Sequence, residues 1–177
     1  MYFLGETWPC ASGQFIPLTG ATRIPSGTVI DALHGSLALT SAVGRHKTEH
    51  GTFGGAIFKL NQTTRGVAKG LVTLTLVENA FKGAPSYATC NKHKAGEASA
   101  AALSSKTLQL LHANAKGKFT TKGKYGAATV RGTEWTTADR CDGTLVHDLT
   151  DSVAVTDFVQ HKTIVLHAGQ SYLAKKP

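Results

Sequence analysis

The sequence predicts an all-β protein: a single domain over residues 1–177 in which about ten short strands form a β-roll, a solenoid-like stack or a sandwich. Three observations predict it. Threonine, β-branched and suited to strands, occurs 23 times in 177 residues. Apolar and polar residues alternate with a period of two through much of the chain. Glycines and an Asp-Gly pair punctuate that alternation at short intervals.

Taken in order, residues 28–33 (TVIDAL) and 37–41 (LALTS) read as two strands joined by a glycine turn at His34, Gly35 and Ser36. Residues 56–61 (AIFKLN) and 71–77 (LVTLTLV) are the next pair, with a polar connector over 63–70. In the latter strand Val72, Leu74 and Leu76 share one face, and Thr73 and Thr75 the other. Residues 94–105 form a low-complexity, alanine-rich stretch without an apolar stripe, expected to be a loop. Strands resume around Leu108 and Leu110, then over 119–121 and 127–136. After the Asp142-Gly143 turn they continue over 144–149, 152–157, 163–167 and 171–174. No repeat of fixed period is present.

Charged residues make up only 17% of the chain, against about 25% in an ordinary protein, which excludes a coiled coil or a charged tail. The net charge of +8 is unevenly placed. Residues 82–131 carry nine bases and one acid, Glu97, and so hold the entire excess. Residues 132–157 lean the other way, with Glu134, Asp139, Asp142, Asp148, Asp151 and Asp157 against Arg140 alone. A chain segregated in this way is expected to present a basic and an acidic face, suited to a polyanion or to association between copies. The candidate binding residues are Lys116, Lys118, Lys122, Lys124 and Arg131. Lysines interleaved with Phe119 and Tyr125 also suit nucleic acid, but two aromatics make a poor stacking platform and nucleic acid is the weaker reading; lysines in such a run more commonly protect exposed edge strands from pairing.

Other motifs carry less. His46 to His50 (HKTEH) matches the inverted zincin pattern, which needs both imidazoles on one helical turn. Gly44, Gly51, Gly54 and Gly55 surround it in a strand-rich setting, so an exposed loop between hairpins is expected and no metal site. His147 and Asp148 are neighbours on a strand and point to opposite faces, which argues against a dyad. Asp139, Asp142 and Asp148 lack the spacing of a calcium loop. No glycine-rich phosphate loop and no nucleophile elbow are present, and nothing calls for a cofactor.

No stretch approaches the ~20 apolar residues that cross a bilayer, so no membrane insertion is expected. The first residues lack the features of a signal peptide. Cys10, Cys90 and Cys141 are too far apart for a zinc ribbon. One disulfide with a spare thiol fits an exported protein, and three thiols fit a cytosolic one.

Residues 119–135 (FTTKGKYGAATVRGTEW), 142–146 (DGTLV), 152–155 (SVAV) and 163–170 (TIVLHAGQ), with 24–42 as an opening hairpin, resemble the FecR-like domain of exported actinobacterial proteins. The resemblance rests on a V-x-G-T strand end followed by an aromatic, a V-x-V strand and a closing A-G-Q, and covers about two-thirds of the chain. It departs from the family pattern at Asp151, where a turn glycine usually precedes the V-x-V strand. The resemblance implies an all-β, solenoid-like roll outside the cytoplasmic membrane, for a chain that is a mature form or an excised domain. The family's signal-relay role does not carry over, because no transmembrane or anti-sigma segment accompanies it. An extracytoplasmic setting in turn favours a disulfide between Cys90 and Cys141, worth roughly 3–4 kcal/mol by loop entropy, with Cys10 left free or paired to another chain.

The expectation is therefore a non-catalytic extracytoplasmic module that acts as a scaffold or binding surface, its partner an anionic surface polymer or a second copy. The alternative is a secreted hydrolase acting on a surface polysaccharide through acids such as Glu134 and Asp142, which would require the two carboxyls within about 5–9.5 Å of each other. A polymer-forming subunit is a third reading.

Overall fold

The structure, a computed structural model, describes residues 2–4, 15–91 and 105–177, with the backbone alone at 2–4, 91 and 131. The strands in chain order are β1 (Tyr2–Leu4), β2 (Ile16–Pro17), β3 (Val29–Asp31), β4 (Ser36–Gly44), β5 (Lys47–Gly54), β6 (Ile57–Gln62) and β7 (Val72–Leu76). A short 3₁₀ turn, Tyr87–Asn91, follows. The chain then forms β8 (Thr107–Lys122), β9 (Gly126–Arg140), β10 (Gly143–Thr150), β11 (Ser152–Asp157), β12 (Lys162–His167) and β13 (Ser171–Lys175). Together they make one mixed 13-stranded sheet that does not close into a barrel. All pairings are antiparallel except that of β7 with β8.

The centre of the molecule is the long hairpin of β8 and β9, 16 and 15 residues, which bends in the middle. Two residues of β8, Gly117 and Lys118, oppose Arg131 alone, because the register passes from Lys116↔Gly132 directly to Phe119↔Val130. Such a bulge kinks a strand and re-aims the sheet. On one side of the bend β5 pairs with residues 112–116 of β8, and β10 with 134–140 of β9. On the other, β7 pairs with 119–122 and β11 with 126–129.

The bend is sharp enough to fold the ribbon on itself. Trp135 and Thr121 lie in different halves of the hairpin, paired with Ala113 and Ala128 respectively. Ala113 and Thr121 would stand about 26 Å apart on a straight strand. Yet the Trp135 indole Nε1 donates to Thr121 Oγ1 at 2.8 Å, and Thr121 meets Thr137 Oγ1 at 2.6 Å. The two halves are thus the facing layers of a sandwich, with the corner made by strands common to both.

Between the layers lies one cluster of buried side chains that includes Ile30, Phe53, Phe58, Leu74, Leu111, Phe119, Trp135, Val146 and Val155. Phe53 from one half and Phe119 from the other stack at 5.4 Å between ring centres. The predicted alternation holds where a strand has one solvated face. Val72, Leu74 and Leu76 of β7 point inward, as do Val153 and Val155 of β11. A disulfide between Cys90 and Cys141, Cα atoms 5.4 Å apart, ties the 3₁₀ turn to the β9–β10 turn.

Several expectations are corrected in detail. The stretches around 108–110 and 119–121 are one strand, because Gly117 makes a bulge rather than a turn. The strands on either side of Gly35 part after the turn: β3 pairs with β6, whereas β4 pairs with β5. The HKTEH motif is not a loop. His46 takes the left-handed turn position (φ 55°), and Glu49 and His50 belong to β5. Asp151, at the turn before β11, adopts φ 72°, a conformation that aspartate tolerates better than most residues. The 94–105 stretch, apart from Ser105, lies outside the described residues, as does Cys10.

Candidate functional site

The bend divides the predicted basic set. Lys116 and Lys118 are exposed at the corner, while Lys122 and Lys124 are at the hairpin tip on the other side of it. The tip lysines are engaged. Lys122 Nζ lies 5.1 Å from the centre of the Phe158 ring, and Lys124 Nζ lies 4.2 Å from that of Tyr87 and 3.2 Å from Glu78 Oε1. Among the described residues, neither Lys116 nor Lys118 has a carboxylate partner for its ammonium. Arg131 occupies the bulge, where its backbone alone is described. The five residues are therefore not one patch.

The expected acidic face is smaller still. Asp139, Asp148 and Asp157 are buried, and Asp142 is held by Arg140 in a bidentate pair at 2.8 and 2.6 Å. Each buried carboxylate serves the fold. Asp139 Oδ1 accepts from the Lys124 amide at 3.0 Å and the Thr144 hydroxyl at 2.7 Å. Burial raises the Asp139 pKa, and these bonds pull it partway back. Asp157 accepts from the amides of Val159 and Gln160 and from the Tyr172 hydroxyl, each at 2.8 Å. Burial works to raise its pKa too, but these donors together with Lys162 carry it below the ordinary value. Asp148 accepts from Thr133 Oγ1 at 3.2 Å, while its second oxygen is buried without a partner, and burial pushes its pKa up. Only Glu134 and Asp151 of the six acids are exposed.

These two line an open groove of about 810 Å³ at the outside of the bend. Its origin is a parting of strands. Pairing of β10 with β9 ends at Glu134 and pairing of β11 begins at Thr129, so residues 130–133 have a strand neighbour only on the β8 side. The matching gap on the far side of β8 is filled: Glu49 reaches in, and its Oε2 accepts the Lys118 amide at 2.7 Å. The β9 gap stays open. Asn114 and Lys116 of β8 border it with Glu134, Asp151, Ala154 and Val165. A second, smaller cavity of about 250 Å³ under the hairpin tip is bordered by Glu78, Tyr87, Lys124 and Asp139. The Tyr87 hydroxyl is buried without a well-formed hydrogen bond, and burial followed by the Asp139 charge pushes its pKa up.

The acids of the hydrolase alternative are not brought together. Glu134 lies at the groove and Asp142 beyond the far end of β9, roughly 20 Å along the strand at its usual rise. His147 Nδ1 meets Ser171 Oγ at 2.7 Å, but Asp148 faces the interior on the opposite side, so the three form no relay. In HKTEH, His50 contacts the hydroxyls of Thr40 and Thr48. A strand spaces positions 46 and 50 about 13 Å apart, too far for one metal ion. The groove itself escaped sequence reading, since it arises from where two strands stop rather than from any motif. No protein-family model, curated protein or solved structure matches the chain.

Proposed function

We propose that the chain is a non-catalytic β module outside the cytoplasm that works as a binding surface, and that Lys116 and Lys118 hold an anionic surface polymer at the corner of the bend. The observation that carries this reading is the pair of exposed ammonium groups at the corner, without carboxylate partners among the described residues. Charge segregation supports it, since residues 82–131 account for the whole excess of +8. The FecR-like resemblance and the Cys90–Cys141 disulfide support the extracytoplasmic setting.

The test uses polyphosphate and heparin as probe polyanions. Lys116→Glu with Lys118→Glu is expected to reduce binding at least tenfold, and added salt to weaken what remains. Lys122→Glu with Lys124→Glu, which alters the engaged pair at the tip, is expected to change it less than threefold. Equal losses in both variants, or no binding by the unaltered protein, overturn the reading.

A further inference from the structure

We infer that the anion-binding surface is a face of six cations, in which Lys116 and Lys118 are joined by Arg45, Lys47, Arg65 and Lys69. A linear polyanion crosses it from the corner over the β4–β5 turn and the β6–β7 loop, away from the groove beside β9. The inference rests on the polyanion reading and deepens it, adding four residues outside the 82–131 segment.

Strand pairing brings the three segments together. The β4–β5 turn carries Arg45 and Lys47, and the loop of residues 63–70 carries Arg65 and Lys69. The turn is seated on the loop. Gln62 Nε2 donates to the Ser41 hydroxyl at 2.8 Å and to the Ala42 carbonyl at 2.9 Å. A Cβ on Gly70, which has φ 89°, would stand 3.0 Å from Val43. A cavity of about 250 Å³ between turn and loop is bordered by Val43, Gly44, Thr63, Thr64 and Lys69. The loop is closed by its own backbone, the Gly70 amide donating to the Thr63 carbonyl at 2.8 Å and the Lys69 amide to the Gly66 carbonyl at 3.1 Å.

Both elements also reach the corner. Glu49, two residues beyond Lys47, accepts the Lys118 amide at 2.7 Å. Lys116 is paired with His50 of the same strand. Val72, three residues beyond Lys69, pairs with Phe119, the residue after Lys118. At the usual rise and strand spacing the Cα atoms of Lys69 and Lys118 are therefore within about 20 Å of each other.

The six side chains are exposed, and among the described residues none of their charged groups has a partner. The acid beside them, Glu49, already serves the Lys118 amide. Across β8 and β9 the groove is lined by Glu134 and Asp151, so the bend separates a cationic surface from an anionic one and turns a polyanion away from the groove. Cations distributed over three segments suit a chain that carries a charge on every repeat, which engages them in turn, better than a lone anion. Val67, fully exposed between Arg65 and Lys69, is a single valine, too little apolar surface to hold the protein on a bilayer.

The test titrates the full chain with tripolyphosphate and with long-chain polyphosphate over a range of salt concentrations. The long chain is expected to bind at least tenfold more tightly than tripolyphosphate. Each cation engaged releases a counterion, at about 0.7 per phosphate neutralised on a single strand. Six cations therefore give a slope of log K against log salt of roughly −4, and Lys116 with Lys118 alone roughly −1.5. Arg45→Glu with Lys47→Glu, and Arg65→Glu with Lys69→Glu, are each expected to weaken binding at least tenfold and to flatten that slope. The urea midpoint checks that the variants fold, and the slope of the unaltered protein needs no variant. A slope near −1.5 overturns the inference. So do losses below threefold in both turn variants while Lys116→Glu with Lys118→Glu still loses tenfold, a result that leaves the polyanion reading standing. No binding of either probe overturns both. Phosphatidylglycerol vesicles bound more tightly than the long chain at equal phosphate overturn the inference in favour of a membrane surface.

Discussion

The carboxylate of Asp139 accepts the backbone N–H of Lys124 at 3.0 Å, and this bond joins the tip of the central hairpin to its own base. Tyr125 repeats the join, its amide donating to Thr144 Oγ1 at 3.0 Å, while that hydroxyl donates to Asp139 at 2.7 Å. Gly123 is needed for so close an approach, since a Cβ there would meet Asp139 Oδ1 at 2.3 Å. The bend at Gly117 brings the tip back, and Asp139 holds it.

Removing that acceptor strands two donors in a buried site. Asp139→Ala is expected to cost about 2 kcal/mol in urea unfolding at neutral pH. Asp139→Asn keeps an acceptor oxygen and removes a charge that burial disfavours, so it is expected to fall within about 1 kcal/mol of the unaltered protein. The pH dependence separates the two effects. Because folding raises the Asp139 pKa, the folded state holds its proton more tightly than the unfolded chain. Stability from this group is full below the ordinary carboxylate range and declines as pH rises through the raised value. The asparagine variant should lose that decline, gaining on the unaltered protein as pH rises from 4 to 7.

Asp157 predicts the opposite slope. Its three donors and Lys162 hold the folded pKa down, so its stabilisation is complete above the ordinary carboxylate range and is lost as pH falls through the lowered value. Asp157→Ala leaves the amides of Val159 and Gln160 without their acceptor and is expected to cost about 3 kcal/mol. Tyr172→Phe removes one donor at 2.8 Å and should cost about 2 kcal/mol. Unfolding curves at pH 3 and pH 7 check both, and the cost of each substitution should shrink at the lower pH.

The corner itself rests on Gly117. Its φ of 127° is one that a side chain rarely adopts, and a Cβ there would meet Glu49 Cδ at 2.3 Å. Gly117→Ala is expected to destabilise by about 2–3 kcal/mol and to displace Glu49 from the Lys118 amide. Gly35→Ala, with nothing within 4 Å of its Cβ and no positive φ, should change stability by less than about 0.5 kcal/mol. Equal costs at the two positions would contradict the bulge as the source of the bend.

What the sequence displayed and what it concealed follow from the range of each interaction. Alternation in β7 and β11 is local, so the inward faces of Val72, Leu74, Val153 and Val155 were legible. Gly117 between two lysines carries the same signal whether it ends a strand or bulges one, and only the pairing partner decides. The parallel pairing of β7 with β8 and the separation of β3 from β4 are long-range choices without a local marker. Charge counting located the acids correctly along the chain but could not see that Asp139 and Asp157 face inward to serve turn amides. The open groove was illegible for the same reason: it is the space left where β10 and β11 diverge.

The disulfide gives the most direct measure of how the loops at the base of the central hairpin are secured. Cys90 and Cys141 are 51 positions apart, and the segment between them includes 92–104 and all of β8 and β9. Closing a loop of this size restricts the unfolded chain and, by the entropy model, contributes about 4 kcal/mol. Cys90→Ser with Cys141→Ser is therefore expected to lower the unfolding free energy by up to that amount, with most of the effect seen as a lower urea midpoint. Reduction of the unaltered protein by dithiothreitol should reproduce the same midpoint. A double variant as stable as the oxidised protein would show that the 3₁₀ turn is held by other contacts, chief among them the Tyr87 amide on Glu78 Oε2 at 3.0 Å and the Tyr87 ring edge-on to Tyr125 at 5.9 Å.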